Sequence, residues 1–531
     1  MPVIPSKPVL QRASIAYVVG AGMTFHSILR MRPDTVIETI AAPAYFRDLN
    51  LDQIVATLVA GKQEYNLVPF FQTPLTDPAE VLYRQAVMQD LEAPERLSAA
   101  TTFADAMRAV RDNMAQVEKL YYRYQKDACL LDAIDRYCGA VARLSGSFQA
   151  KPPRSNGLSK FADYLSAYTR SAPFAELTGG VDSIREKLAS ITYTLLIGGS
   201  VITVADYDNE PDYQAEIEKD FSKFRQGEAE EYAFKFADFV QMNHIEAGVL
   251  DRVAKLHEDI FAEFAAFAAR HVDFLDSTIA AFDREAQFYL AYIAHMGRLT
   301  AAHLTFCYPV VSGTDKGERV VGAFDLALAK ALVEQKGTVI TNDFHLENGE
   351  RILIVSGPNQ GGKTTFARMF GQIHYLAALG CPTPAAEARL LLMDGLYTHF
   401  ERGEDIHNLR GKLRDDLYRM HETLRQVTSR SIVILNEVFS STSLSDAIFL
   451  STRVLETVIE RDALCLCVTF IDELADLSRT AVSMASQVQP GNTAERTFKI
   501  ARQPPNGLAY AMSIADKYRL TYDQLRERLA S

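Results

Sequence analysis

At 531 residues, with 48% of them hydrophobic and 23% charged, the chain is long enough for two or more domains with sizeable cores, and its composition excludes a disordered protein. The net charge of −12 argues against a surface that seeks nucleic acid as a whole, because such affinity grows from Lys and Arg neutralising phosphates. No apolar run of roughly eighteen residues occurs, and Met1-Pro2-Val3-Ile4-Pro5-Ser6 lacks the basic-then-apolar layout of a secretory signal, so the expectation is a cytoplasmic protein without a membrane span.

Residues 1–37 read as an amino-terminal extension, and residues 38–330 as a mainly α-helical core or lever domain. From about position 77 to 145 apolar residues recur at helical spacing, as Leu120, Tyr124, Leu131 and Ile134 do. Arg108, Arg111, Lys119, Arg123 and Lys126 recur along this stretch; a solvated helix face is the preferred reading, with a local basic patch as the alternative. A β-hairpin insertion is expected near 190–206, where composition switches to β-branched and aromatic residues around the turn Gly198-Gly199. Behind it, Asp206, Asp208, Glu210, Asp212, Glu216, Glu218 and Asp220 would repel phosphate. Val253, Leu256, Ile260, Phe264 and Phe267 then return to helical spacing. A long helix or helix pair is expected; if continuous over 250–299 it would be a rod of about 75 Å at roughly 1.5 Å per residue, and a packed bundle helix fits the periodicity nearly as well.

Residues 331–531 read as an α/β P-loop ATPase domain, a doubly wound sheet whose expected strands are 352–355, 390–392, 432–435 and 464–468, with edge strands at 482–488 and 497–500. The first strand runs into Gly357-Pro358-Asn359-Gln360-Gly361-Gly362-Lys363-Thr364. That spacing is a phosphate-binding loop, in which backbone N–H groups turn inward around phosphate oxygens, Lys363 reaches the β- and γ-phosphates and the Thr364 hydroxyl sits on Mg²⁺. Asn436-Glu437 closes the 432–435 strand at its carboxyl end. There Asn436 would help to hold Mg²⁺, and Glu437 would orient and deprotonate the attacking water. Asn436 stands where an aspartate is usual, so weaker Mg²⁺ binding is expected. The six cysteines, Cys129, Cys138, Cys307, Cys381, Cys465 and Cys467, are scattered without metal-ligand spacing and read as reduced core thiols.

Gly357 to Thr365, Asn436-Glu437 and the following Ser441-Thr442-Ser443-Leu444-Ser445-Asp446 together resemble the ATPase domain of the MutS family of DNA mismatch-repair proteins. Val339-Ile340-Thr341-Asn342-Asp343 is similar to that family's adenine-contacting stretch, the run 507–529 to its helix-turn-helix dimerisation element, and Phe71-Gln72-Thr73-Pro74 to the start of its helical core. The resemblance implies ATP and Mg²⁺ as cofactors, ATP hydrolysis to ADP and phosphate, a homodimer formed through the ATPase domain, and DNA as the partner. It assigns Lys363, Asn436 and Glu437 to catalysis, Thr364, Asn436 and Glu437 to the metal, and Gly357, Pro358, Asn359, Gly361, Gly362, Thr365, Val339, Ile340 and Asn342 to the nucleotide. Two departures stand out. Phe470 occupies the place of a family histidine, and Leu409-Arg410-Gly411-Lys412-Leu413 replaces a signature whose serine reaches the partner's nucleotide. Lys412 or Arg410 could supply a cation there instead; a solvated basic turn is the equal alternative. The residues before Phe71 are expected to be too few for the family's amino-terminal mismatch reader. The reading is therefore a DNA-binding dimer not itself mismatch-specific, with a nucleotide-gated protein scaffold that no longer binds DNA as the alternative.

Overall fold

The computed structural model describes residues 25–32, 42–208, 242–347, 349–358, 360–401, 412–489, 492–504 and 522–530. They fall into two compact units: residues 25, 98–153, 159–208 and 242–283 form one, and 26–32, 42–97, 154–158 and the described residues from 284 onward the other. No helix of the described residues is long and apolar enough to cross a membrane. All six cysteines are free, and five are buried, Cys307 being half-buried.

The first unit is helical because its apolar residues return every three or four positions. On the helix Arg123–Ala150 this places Leu130, Ile134, Tyr137, Val141, Leu144 and Phe148 on one buried face. Phe161 and Phe282 stack with ring centroids 3.6 Å apart. The expected hairpin is β1 (Tyr193–Gly198) paired antiparallel with β2 (Val201–Asp206), and Gly199 turns it at φ 63°. Its apolar side chains Leu196, Ile197 and Val201 are exposed. Only Asp206 and Asp208 of the acidic run behind it lie within the described residues.

The helix or helix pair expected over 250–299 is three helices, His244–Leu256, Glu258–Arg270 and Ser277–Thr300. The first ends at His257, whose backbone leaves the helical region at ψ 48°. The third starts afresh where the Asp276 carboxylate accepts from the N–H groups of Thr278 and Ile279, at 3.0 and 2.9 Å. A capping aspartate offers the backbone an alternative to a continuous helix. Apolar spacing alone does not register it.

The second unit holds two sheets. One has four strands in the order β3, β7, β4, β5, with β3 at Val310–Ser312, β4 at Glu318–Ala323, β5 at Asn342–Leu346 and β7 at Glu387–Leu391. The other has six, in the order β12, β11, β6, β10, β9, β8. Here β6 is Ile352–Ser356, β8 Leu396–Phe400, β9 Ile432–Asn436, β10 Leu464–Val468, β11 Ala481–Gln489 and β12 Asn492–Arg502. All of these run parallel except the edge strand β12. Buried on both faces, β6, β9 and β10 are continuous apolar runs, as parallel strands between helices are. The stretch 390–392, expected in this sheet, belongs to the four-stranded one, and β8 is the strand beside β9. The expected carboxyl-terminal helix pair lies mostly outside the described residues, which include its last helix, Tyr522–Ala530.

The helix Lys363–Ala378, which follows β6, is buried nearly all round. Gly371 lets it approach closely, since a Cβ there would fall 2.6 Å from a Leu49 methyl and 2.9 Å from one of Ile434. Buried polar ties fix its rotation. Gln372 donates to Leu49 O and to Asp325 Oδ1, both at 2.9 Å, and accepts from Leu326 N at 2.7 Å. His374 Nε2 meets Glu318 Oε1 at 2.8 Å, which binds this helix to β4. The start of the helix is thereby held at the carboxyl end of β6.

Candidate nucleotide site

Between β6 and that helix the chain makes a tight loop with Gly357 at φ 123°, Gln360 at 62° and Gly362 at 91°. Such angles are open to glycine and cost other residues energy. Lys363, only 4% exposed, donates from Nζ to Gly357 O at 2.8 Å and Pro358 O at 3.3 Å, and faces Glu437 Oε1 at 3.8 Å. Burial lowers its pKa from the ordinary lysine range, and the Glu437 carboxylate opposes that shift. One residue on, Thr364 Oγ1 donates to Asn436 Oδ1 at 3.2 Å, joining the loop's helix to the end of β9. Glu437 leaves that strand in the left-handed region, at φ 53°, with its N–H held by Val468 O at 2.9 Å. Three elements therefore converge at the carboxyl ends of β6, β9 and β10, which is where open parallel sheets bind ligands.

In front of the loop is a cavity of about 580 Å³. Of the residues singled out from sequence, Gly362, Lys363, Thr364, Thr365 and Glu437 line it on one side and Val339, Ile340 and Asn342 on the other. Gly357, Pro358 and Gly361 build the loop without lining the cavity, and Asn436 joins through Thr364. Asn359 and Arg410 lie outside the described residues, as does the side chain of Lys412, the first residue of the helix Lys412–Gln426. Phe470 is 53% exposed just past β10. The Asn342 amide is tied to β12: its Nδ2 donates to Phe498 O at 3.1 Å, and its Oδ1 accepts from Ile500 N at 2.7 Å.

A family model, MutS domain V, matches residues 353–515, a span that begins in the P-loop strand and takes in Lys363, Thr364, Asn436 and Glu437. Over that span the chain is similar to the MutS family. It is 30% identical over 195 residues to the DNA mismatch repair protein MutS of Orientia tsutsugamushi (strain Ikeda), 36% of this chain and 21% of that protein. With the Endonuclease MutS2 of Gemmatimonas aurantiaca it shares 31% identity over 234 residues, 42% of this chain and 28% of the relative. With the MutS of Thermus thermophilus it shares 34% over 147 residues, 28% of this chain and 18% of the relative. The chain thus spans between 18% and 28% of the length of these MutS relatives.

Five residues that line the cavity are not marked by the sequence motifs: Asp325, Leu328, Leu332, Thr338 and Phe498. Asp325 caps the helix Leu326–Glu334, accepting from the N–H groups of Ala327 and Leu328 at 3.0 and 3.1 Å, and that helix supplies the two leucines as an apolar wall. An aspartate just before an apolar helical run is a readable cap, though nothing local places it beside the P-loop. Phe498, at φ 57° on an edge strand, gives no such signal.

Proposed function

We propose that this chain binds ATP with Mg²⁺ and hydrolyses it to ADP and phosphate, and that a homodimer joined through the ATPase domain couples this cycle to opening and closing on DNA without being mismatch-specific itself. The observation carrying the nucleotide part is the convergence of Lys363, Thr364, Asn436 and Glu437 at one mouth of a cavity of about 580 Å³. The loop's N–H groups and the Lys363 ammonium hold the phosphates and neutralise charge that grows on them. The Thr364 hydroxyl and the Asn436 carbonyl oxygen, already in contact, are the hard oxygen donors that suit Mg²⁺, and Glu437 adds a carboxylate beside them. Bound there, Mg²⁺ supplies Lewis acidity to the phosphate oxygens. Glu437, at the strand end, orients the attacking water and takes its proton. Val339, Ile340, Leu328 and Leu332 offer the base an apolar wall. A phosphate-release assay with Mg²⁺ and ATP tests this reading, and a protein that neither binds nor turns over ATP sinks it.

DNA as the partner is supported by the family alone. The net charge of −12 and the acidic run after the hairpin favour a nucleotide-gated protein scaffold instead. Titrating salt against duplex, branched, mismatched and single-stranded DNA separates the two, because phosphate contacts make log K fall steeply with log salt. DNA binding with that slope, and with no preference for the mismatch, is expected. No binding at low salt leaves the scaffold.

Residues 507–531 are the proposed dimer element. Their removal is expected to turn a dimer into a monomer in light scattering and to lower ATP turnover, since Lys412 or Arg410 would act on the partner's γ-phosphate. A folded monomer with parental turnover would show each site to be complete within one chain.

A further inference from the structure

We propose that Ser486, on β11, is a positioning residue for the phosphate-binding loop, holding the Gly361–Gly362 peptide so that its N–H faces the cavity. The proposal rests on the nucleotide reading above. Ser486 is 1% exposed, and its Oγ donates to Gly361 O at 2.7 Å. A trans peptide is planar, with its C=O and N–H pointing in opposite directions. Fixing the Gly361 carbonyl against Ser486 therefore turns the Gly362 N–H to the other side, and Gly362 lines the cavity.

Strand register makes this possible. β11 runs parallel to β6 with Ala485 opposite Ser356, so Ser486 comes level with the first residue of the loop. A Cβ on Gly357 would fall 2.9 Å from Ser486 Cβ and 3.1 Å from its N, and one on Gly361 would strike Ser486 Oγ. The loop thus packs on this serine at both ends, and two of its glycines are required by that approach. The ribbon of β11 and β12 also braces the opposite wall, through Asn342. Both sides of the cavity are held by a strand pair that carries none of the motif residues.

Ser486→Ala in the full chain removes one buried hydrogen bond. The expected result is a rise of about fivefold to tenfold in the calorimetric Kd for ATP with Mg²⁺ and an equal rise in KM, with kcat at saturation within about twofold. The number of sites per chain should stay at the parental value. A purely structural role predicts the reverse pattern, a lower unfolding midpoint and fewer sites at unchanged Kd, and that result overturns the proposal. Gln487→Ala, which removes an amide donating to Gln503 at 3.0 Å from the same strand, should keep the parental Kd. Equal weakening there would mean that any damage to the ribbon suffices, and the assignment to the Ser486 hydroxyl fails. A parent chain that binds no ATP overturns the nucleotide reading and this proposal together, whereas a parent that binds with a Ser486→Ala Kd unchanged overturns this proposal alone.

Discussion

Lys363→Ala is expected to raise the Kd for ATP at least roughly tenfold, about 1.4 kcal/mol. The ammonium is almost fully buried beside the loop carbonyls of Gly357 and Pro358, so it needs little reordering to meet a phosphate. Truncation also leaves the Glu437 carboxylate, 3.8 Å away, with no counter-charge as a polyanion approaches. Burial holds this lysine below its ordinary pKa, and phosphate binds its charged form. Affinity is therefore full below that lowered pKa and falls as pH rises through it, on an alkaline limb that begins earlier than an exposed lysine would give. Calorimetry across the alkaline range should show the limb in the parent and lose it in Lys363→Ala. An unchanged Kd in the variant would refute the phosphate-loop assignment.

Glu437→Gln should leave ATP binding unchanged or tighter while slowing hydrolysis by about 10²- to 10⁴-fold, the usual contribution of a positioned base. Glutamine keeps the shape of the side chain at the strained strand end, where φ is 53°, so the loss is one of proton acceptance rather than of fold. Removing a negative charge near the phosphates lowers the repulsion they meet. Single-turnover phosphate release beside equilibrium binding resolves the two effects. If the variant keeps the parental rate, the base lies elsewhere. If binding falls along with hydrolysis, Glu437 acts on the phosphates or the metal instead of on water.

What the sequence made legible follows from how local each signal is. The loop 357–364 and the pair Asn436-Glu437 could be read because each is written within a few adjacent residues whose chemistry leaves few alternatives, and the strands before them are apolar runs found in place at β6 and β9. The stretch 390–392 was misplaced for a physical reason: an apolar run announces a buried strand but not its partner, and Leu390 pairs with Val311 in the other sheet. The alternating Leu396-Tyr397-Thr398-His399-Phe400 looks less like core yet pairs with β9. The segment 250–299 is not one rod because the apolar periodicity continues across two breaks, at His257 and ahead of the helix that Asp276 caps. Phe498 and Ser486 reach the loop only through the register of β11 and β12, more than a hundred residues downstream.

Three non-glycine residues lining the cavity, Gln360, Glu437 and Phe498, have positive φ. Each holds its backbone against a cost of about 1 kcal/mol or more. A protein engineer selecting this chain for heat resistance alone would find glycine favoured at 360 and 498, where the side chains are exposed and glycine meets those angles without steric penalty. Each gain in melting temperature would remove a side chain from the rim of the pocket. Thermostabilised descendants would thus lose the nucleotide before they lost the fold, and selection for stability should be run with ATP present.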